Sequence, residues 1–219
     1  MADRSPVDVV ALVSSAGGLT ALNQILHHLP ADLAAAVVVM QHLPATGSSL
    51  VEILRRRSQL PVEWIRDREI LRPGHVYVCP PRQLLEVSPD AACSLRPMAD
   101  EHRLRPIDFF LISLAGSYGQ RAMTVVLTGM GRDAEAGGRA VSEAGGTVVV
   151  QSPDSAEHPG MPSAVADSGA ADLVLELPEI GPVIGEIVAG GVRPRRRLPR
   201  PHPGGLTPTV RPAEHAGGR

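Results

Sequence analysis

The sequence predicts an α/β fold: a doubly wound, mostly parallel sheet flanked by helices. Two observations carry this. The runs PVDVVALVS, AAAVVVMQ, RAMTVVLTG, GTVVVQS and ADLVLEL are short, β-branched and almost continuously apolar, as strands buried on both faces of a parallel sheet must be. Segments with helical spacing lie between most of them, and strands alternating with helices through right-handed crossovers wind such a sheet.

Taken in order, PVDVVALVS ends in small polar residues and a glycine pair, after which Leu19, Leu22 and Ile25 recur at helical spacing. That reads as strand, tight turn, and a helix over residues 19–28. AAAVVVMQ is the second strand, followed by a helix over residues 48–57. Between residues 60 and 98 the pattern changes to VEWI, HVYVCP, QLLEVS and CSLRP, divided by RPG, PPR and SPD turns. An antiparallel hairpin excursion at the sheet edge is expected there. Helices over residues 107–118 and 135–143 bracket RAMTVVLTG. From Gly190 onward the chain carries seven Arg against one Glu, with six Pro and six Gly. This composition has too little apolar surface to offset ordering entropy, so residues 190–219 are expected to be a disordered tail behind a domain spanning 1–189.

A chain of 219 residues suits one such domain. It contains no lysine, every fixed positive charge being arginine. Schiff-base catalysis, a Walker-type phosphate lysine and Ser-Lys hydrolysis are thereby excluded, since each needs an amine at the reacting centre. Aromatic residues make up 2%, so base stacking offers no basis for binding nucleic acid. The net charge of −2 and the absence of any apolar run of about 18 residues predict no membrane span and no secretory signal, with the cytoplasm as the expected location. Cys79 and Cys93 are then expected to be reduced and structural. No metal-ligand spacing surrounds them, and neither a metal nor an organic cofactor is expected.

In a doubly wound sheet ligands bind outside the carboxyl ends of the strands. Ser15 follows the first strand, His42 the second, and Asp133 follows RAMTVVLTG within TGMGRDAEAGG. Serine, histidine and aspartate are the parts of a nucleophile, a base and an orienting acid. Each also has a plainer role open to it. Ser15 could cap the helix beginning near Gly18, His42 could simply end a strand, and Asp133 could cap the helix running from Ala134. A phosphate-binding loop is the weaker alternative, because neither SSAGG nor GMGRDAEAGG has the spacing of a dinucleotide fingerprint. Backbone N–H groups around Gly129–Gly131 could instead receive an oxyanion.

Read together, these segments resemble the catalytic domain of the CheB family, the chemoreceptor protein-glutamate methylesterases. The family's Gly-Ala-Ser-(Thr/Ala)-Gly-Gly loop is similar to Val13-Ser14-Ser15-Ala16-Gly17-Gly18. Its Gln-His-(Met/Leu)-Pro is similar to Gln41-His42-Leu43-Pro44, and its Leu-Thr-Gly-Met-Gly-x-Asp to residues 127–133. The resemblance runs from about Val7 to Ile187. It includes Arg72-Pro73-Gly74-His75-Val76-Tyr77-Val78, Arg105-Pro106-Ile107-Asp108 and Gly160-Met161-Pro162-Ser163-Ala164.

The resemblance implies Ser15 as nucleophile, His42 as base and Asp133 as orienting carboxylate, with oxyanion donors at the backbone N–H groups of Met130 and Ala16. It further implies hydrolysis of glutamyl methyl esters, and deamidation of glutamines, on the cytoplasmic helices of methylated chemoreceptors. Arg72 and Arg132 are candidates for steering an acidic receptor surface. Two family glycines are replaced, by Val13 and Ala134. Val13 is expected to lie on the strand at no cost, and Ala134 to be harmless at a helix start. The hydrolase segment begins within the first ten residues, so a stand-alone catalytic domain without the family's phosphoacceptor domain is expected. The alternative from another class is a non-catalytic module of the same fold that binds a receptor or a receptor methyltransferase.

Overall fold

A computed structural model of the chain describes residues 7–43, 48–98 and 105–190. The first half runs β1 (Val9–Ser14), α1 (Gly18–His28), β2 (Ala36–Gln41), α2 (Leu50–Arg55), β3 (Val62–Trp64), β4 (Val76–Val78), β5 (Gln83–Val87) and β6 (Cys93–Pro97). The second half runs α3 (Pro106–Tyr118), β7 (Ala122–Val126), α4 (Glu135–Glu143), β8 (Thr147–Gln151), α5 (Gly160–Asp167), β9 (Leu173–Leu175) and α6 (Leu177–Val188). The main sheet has the order β3-β4-β2-β1-β7-β8-β9, and every neighbouring pair in it is parallel.

Alternation along the strands divides the core. Val9, Ala11 and Val13 of β1 face a cluster that takes in Ile107, Phe110 and Leu114 of α3, Val141 of α4 and Val165 of α5. Val10 and Leu12 face the opposite cluster, with Leu22 and Ile25 of α1, Leu54 of α2 and Ile184 of α6. Helices therefore cover both faces, and the near-continuous apolar strand runs follow from that double burial. In α1 the buried positions Gly18, Ala21, Leu22, Ile25 and Leu26 recur at three- and four-residue steps, which makes one stripe of an amphipathic helix.

The antiparallel excursion expected over residues 60–98 consists of β5 and β6, which pair from Gln83 opposite Pro97 to Val87 opposite Cys93, with one isolated antiparallel bridge between Ile70 and Ala92. β3 and β4 instead extend the parallel sheet. The physical reason is burial: Val76, Tyr77 and Val78 are all 0% exposed, and a three-residue run is too short for periodicity to reveal its direction. Residue 190 apart, the expected tail lies outside the described residues.

α3 and α4 approach closely at Gly137, where a Cβ would stand 2.5 Å from Leu111 Cβ and 3.2 Å from Asp108 Cα. An alanine inside a helix ordinarily gains about 1 kcal/mol over glycine, but here the added methyl meets packed atoms. Gly137→Ala is expected to reverse that sign and destabilise the protein by about 2 kcal/mol, read as a lower urea midpoint with an unchanged slope.

Candidate active site

Parallel pairing sets Ser14 opposite Gln41 and Val13 opposite Val126, so β2, β1 and β7 end level. The residues that come next are Ser15 and His42. Ser15 Oγ lies 3.0 Å from His42 Nδ1, and His42 Nε2 lies 2.9 Å from Asp133 Oδ2. A carboxylate only accepts hydrogen bonds, so the ring proton sits on Nε2 and Nδ1 is left to accept from the serine hydroxyl. The two ring nitrogens are exchanged relative to the chymotrypsin arrangement, with the same order of donors and acceptors. The His42 backbone N–H donates to the Ser14 carbonyl at 3.2 Å, which ties His42 to the strand that leads into Ser15.

The N-cap residues themselves, Gly17 of α1 and Ala134 of α4, make no side-chain cap bond, and Ser15 Oγ is turned to His42 instead. At the start of α4 Asp133 Oδ1 reaches the Ala134 N–H at 3.1 Å, a donor it shares with Asp108. Asp133 is also bound by a different helix. Its Oδ2 accepts from the Ile107 N–H at 3.1 Å and its Oδ1 from the Asp108 N–H at 2.8 Å, both in the first turn of α3. Pro106 precedes them at a position where a missing N–H costs nothing. The side chain is 4% exposed, and burying an ionised carboxylate is costly unless its lone pairs are satisfied. Charge-assisted bonds to helix-terminal amides satisfy them, at about 1.5–3 kcal/mol each, with the positive end of the helix adding to the effect.

Asp108 performs the converse service. Its Oδ1 accepts from the N–H groups of Ala134 (3.1 Å) and Gly137 (2.8 Å) at the start of α4, and its Oδ2 accepts from Arg105 at 3.2 Å. Two helices thus exchange carboxylates, each binding the other's amino terminus.

The stretch 128–131 is held in place from two sides. Gly129 N–H donates to the His158 carbonyl at 2.8 Å, and Ser15 N–H to the Thr128 carbonyl at 3.0 Å. Thr128 Oγ1 donates to the Ala16 carbonyl at 3.1 Å and accepts from His158 N–H at 2.8 Å. A Cβ at Gly129 would lie 2.9 Å from Ser15 Cβ and 2.2 Å from Met161 Sδ, so only glycine fits between the serine and α5. With these N–H groups committed, those of Ala16 and Met130 bond to no other described residue. Ser14 is fully buried, and its Oγ would lie 2.4 Å from a Cβ at Gly18. Its side chain points beneath the helix, not toward His42.

A groove of about 290 Å³ opens beside His42, lined among others by Met40, Cys79, Pro80, Arg82 and Pro106. Burial pushes the Cys79 thiol up to about 12, so it is an apolar wall and not a nucleophile. Arg82 is the arginine among the described residues that line this groove. The sequence pointed to Arg72 and Arg132 instead. Arg132 is held by both oxygens of Glu135, at 2.7 and 2.8 Å. Arg72 pairs with Glu69 and lies two residues before Gly74, whose N–H bonds the Ala35 carbonyl ahead of β2, at the amino end of the strands, whereas Ser15 and His42 follow their carboxyl ends. Arg82 escaped notice because it follows β4. Once β4 is parallel, its carboxyl end joins the rim.

A family model described as CheB methylesterase matches residues 10–184. The chain belongs to the CheB methylesterase family. It is 40% identical over 197 residues to a protein-glutamate methylesterase/protein-glutamine glutaminase of Moorella thermoacetica, covering 85% of this chain and 46% of that protein. A relative of the same description in Paramagnetospirillum magneticum is 38% identical over 190 residues, covering 84% and 50%. The chain thus spans about half the length of these relatives. The crystal structure of the Thermotoga maritima CheB methylesterase catalytic domain matches with a TM-score of 0.78 at 33% identity, covering 84% of this chain and all of that one.

Of the two places where the CheB pattern has glycine, one behaves as expected and one does not. Val13 lies within β1, paired to both neighbouring strands. Ala134 adopts φ 96°, a left-handed conformation that a Cβ disfavours, so the expectation that it is harmless at a helix start is overturned: position, not helix propensity, decides. Ala134 is also fully buried. Ala134→Val, adding a branch at Cβ, is expected to destabilise by about 3 kcal/mol in urea unfolding.

Burial holds the Asp108 carboxyl above the usual range, reinforced by the nearby Asp133 charge and opposed by the Gly137 N–H and Arg105. A carboxyl raised on folding binds its proton more tightly in the folded chain, so its contribution to stability is present at low pH and is lost as pH rises through the folded value. From about pH 4 to neutrality, the wild type is expected to lose stability relative to Asp108→Asn, measured by urea unfolding of both proteins across that range.

Proposed function

We propose that this chain is a serine hydrolase that removes methyl groups from glutamyl methyl esters, and deamidates glutamines, on the cytoplasmic helices of chemoreceptors. The observation that carries it is the unbroken hydrogen-bond relay from Ser15 through His42 to the buried Asp133. Family membership and the names of the relatives agree with it. Among the described residues no helix is long and apolar enough to cross a membrane, and we place the protein in the cytoplasm with its receptor substrates.

In this mechanism Ser15 Oγ attacks the ester carbonyl while His42 Nδ1 takes its proton. Asp133 holds the imidazole in place through Nε2–H and stabilises the imidazolium that forms. The N–H groups of Ala16 and Met130 receive the carbonyl oxygen as it becomes an oxyanion, worth on the order of 3 kcal/mol per donor. Collapse breaks the C–O bond, and His42 returns its proton to the departing methoxide, releasing methanol. From a glutamine the leaving group is ammonia. Water then attacks the glutamyl-enzyme with His42 again as base, and the products are a free γ-carboxylate and regenerated Ser15. The groove beside His42, with Arg82 at its edge, is open to the helix that carries the ester.

Ser15→Ala is expected to abolish methanol release from methylated receptors and labelling by a fluorophosphonate probe, with a loss in rate approaching the roughly million-fold seen when other hydrolases of this type lose their serine. Methanol release that survives the substitution removes the proposal. An unlabelled wild type whose fold is intact would favour the binding-module alternative.

A further inference from the structure

We infer that Asp108 is a positioning residue for the triad: by binding the start of α4 it fixes Asp133 against His42. The inference rests on the Ser15-His42-Asp133 reading. It starts from the peptide that joins the two acids. The Ala134 N–H stands 3.1 Å from Asp133 Oδ1 and 3.1 Å from Asp108 Oδ1, so a single donor is shared by the acid that touches the base and the acid that does not. The second donor to Asp108, Gly137 N–H at 2.8 Å, lies within α4, so Asp108 grips this segment at two points one helical turn apart.

That grip opposes a definite force. Ala134 sits at φ 96°, where an L side chain is strained, and the residue immediately before it is Asp133. A chain free to relax at Ala134 would rotate the peptide that carries the acid. The other half of the exchange, Asp133 on the N–H groups of Ile107 and Asp108, holds the carboxylate itself, and the backbone behind it is held by Asp108. Asp108 is 4% exposed, and water cannot substitute for it as an acceptor. A lone acidic surface residue would have no such leverage.

Geometry and charge separate in two conservative variants. Asp108→Asn keeps an oxygen where Oδ1 accepts from Ala134 and Gly137, and gives up the charge facing Arg105. Asp108→Glu keeps the charge and displaces the oxygens by one methylene. If Asp108 acts by position, Asp108→Ala slows fluorophosphonate labelling of Ser15 by roughly 100-fold, the penalty of about 1 Å of misplacement, and Asp108→Glu slows it by at least about tenfold. Asp108→Asn returns the rate to within about threefold of wild type, that being less than the cost of one lost hydrogen bond. In proton NMR the downfield imidazole N–H signal of the His42–Asp133 bond is lost in the Ala and Glu variants and kept in Asn. Ala134→Gly, which removes the strain, restores part of the rate lost in Asp108→Ala.

Each variant is measured well below its own melting temperature, which separates misplacement from unfolding. Folded Asp108→Ala with wild-type labelling and an intact NMR signal overturns the inference. So does the reverse order, with Asn slow and Glu fast, which would make the role one of charge. Where Asp108→Ala does not fold, the Asn and Glu pair decides alone. Failure of the wild type to label at Ser15 overturns the triad itself, a result distinct from a labelled wild type whose rate ignores residue 108.

Discussion

The site depends on the in-register parallel pairing of β2, β1 and β7. Strands in such a sheet lie about 4.8 Å apart, and because Ser14 stands opposite Gln41, the next residue on each strand leaves the sheet at the same height. Nothing further is needed to bring a serine hydroxyl and an imidazole within 3.0 Å. A slip of one residue would exchange the faces of an entire strand, carrying Val10 and Leu12 out of one core and Val9, Ala11 and Val13 out of the other. The cost of that exchange fixes the register. The distance from Ser15 to His42 is therefore set by the apolar alternation of β1 and β2, far from either group.

The third member reaches the site differently. β7 ends at Val126, and the chain must pass through residues 127–132 before Asp133, too far for the sheet to control. The first turn of α3 takes over that control. Its amides point at the carboxylate, and the resulting burial falls off across the triad, from 4% exposure at the Asp133 side chain to 34% at His42. A dry anion beneath an accessible imidazole suits the proposed hydrolysis: the charge that would stabilise an imidazolium is screened least where it is most enclosed, and the His42 side remains the more exposed.

Much of this was legible in the sequence, and the exceptions have physical causes. The strands with five or six apolar residues declared themselves, and so did α1, α3 and α4, whose stripes persist over at least two turns. β3 and β4 did not reveal their direction, since three residues carry no usable period, and with β4 misdirected Arg82 could not be placed at the rim. α5 and α6 contain Pro162, Pro178 and Pro182 together with glycines, residues that read as punctuation although Ile180, Ile184 and Ile187 are spaced as one buried stripe. Ser15, His42 and Asp133, which the structure brings into contact, could be singled out because each follows a strand. Asp108 sat in a motif of the resemblance with no assigned role, because hydrogen bonds to backbone N–H groups in another helix leave no trace in side-chain pattern.

The two glycine replacements show how the fold distributes tolerance around its site. Val13 costs nothing, because both its neighbours in the sheet require an extended residue there, and valine favours that conformation. A residue with positive φ at position 13 would have broken the ladder on which the register depends. Ala134 lies beyond the reach of any ladder, where the backbone is held by acceptors and not by strands. Its methyl group carries a strain of about 1–3 kcal/mol, comparable to the charge-assisted hydrogen bonds that its own N–H makes to the two carboxylates. The strained peptide and the peptide that joins the acids are the same one. Interactions that keep Asp133 in line with His42 are thus also those that hold Ala134 in its disfavoured conformation, and loss of either carboxylate would release both constraints together.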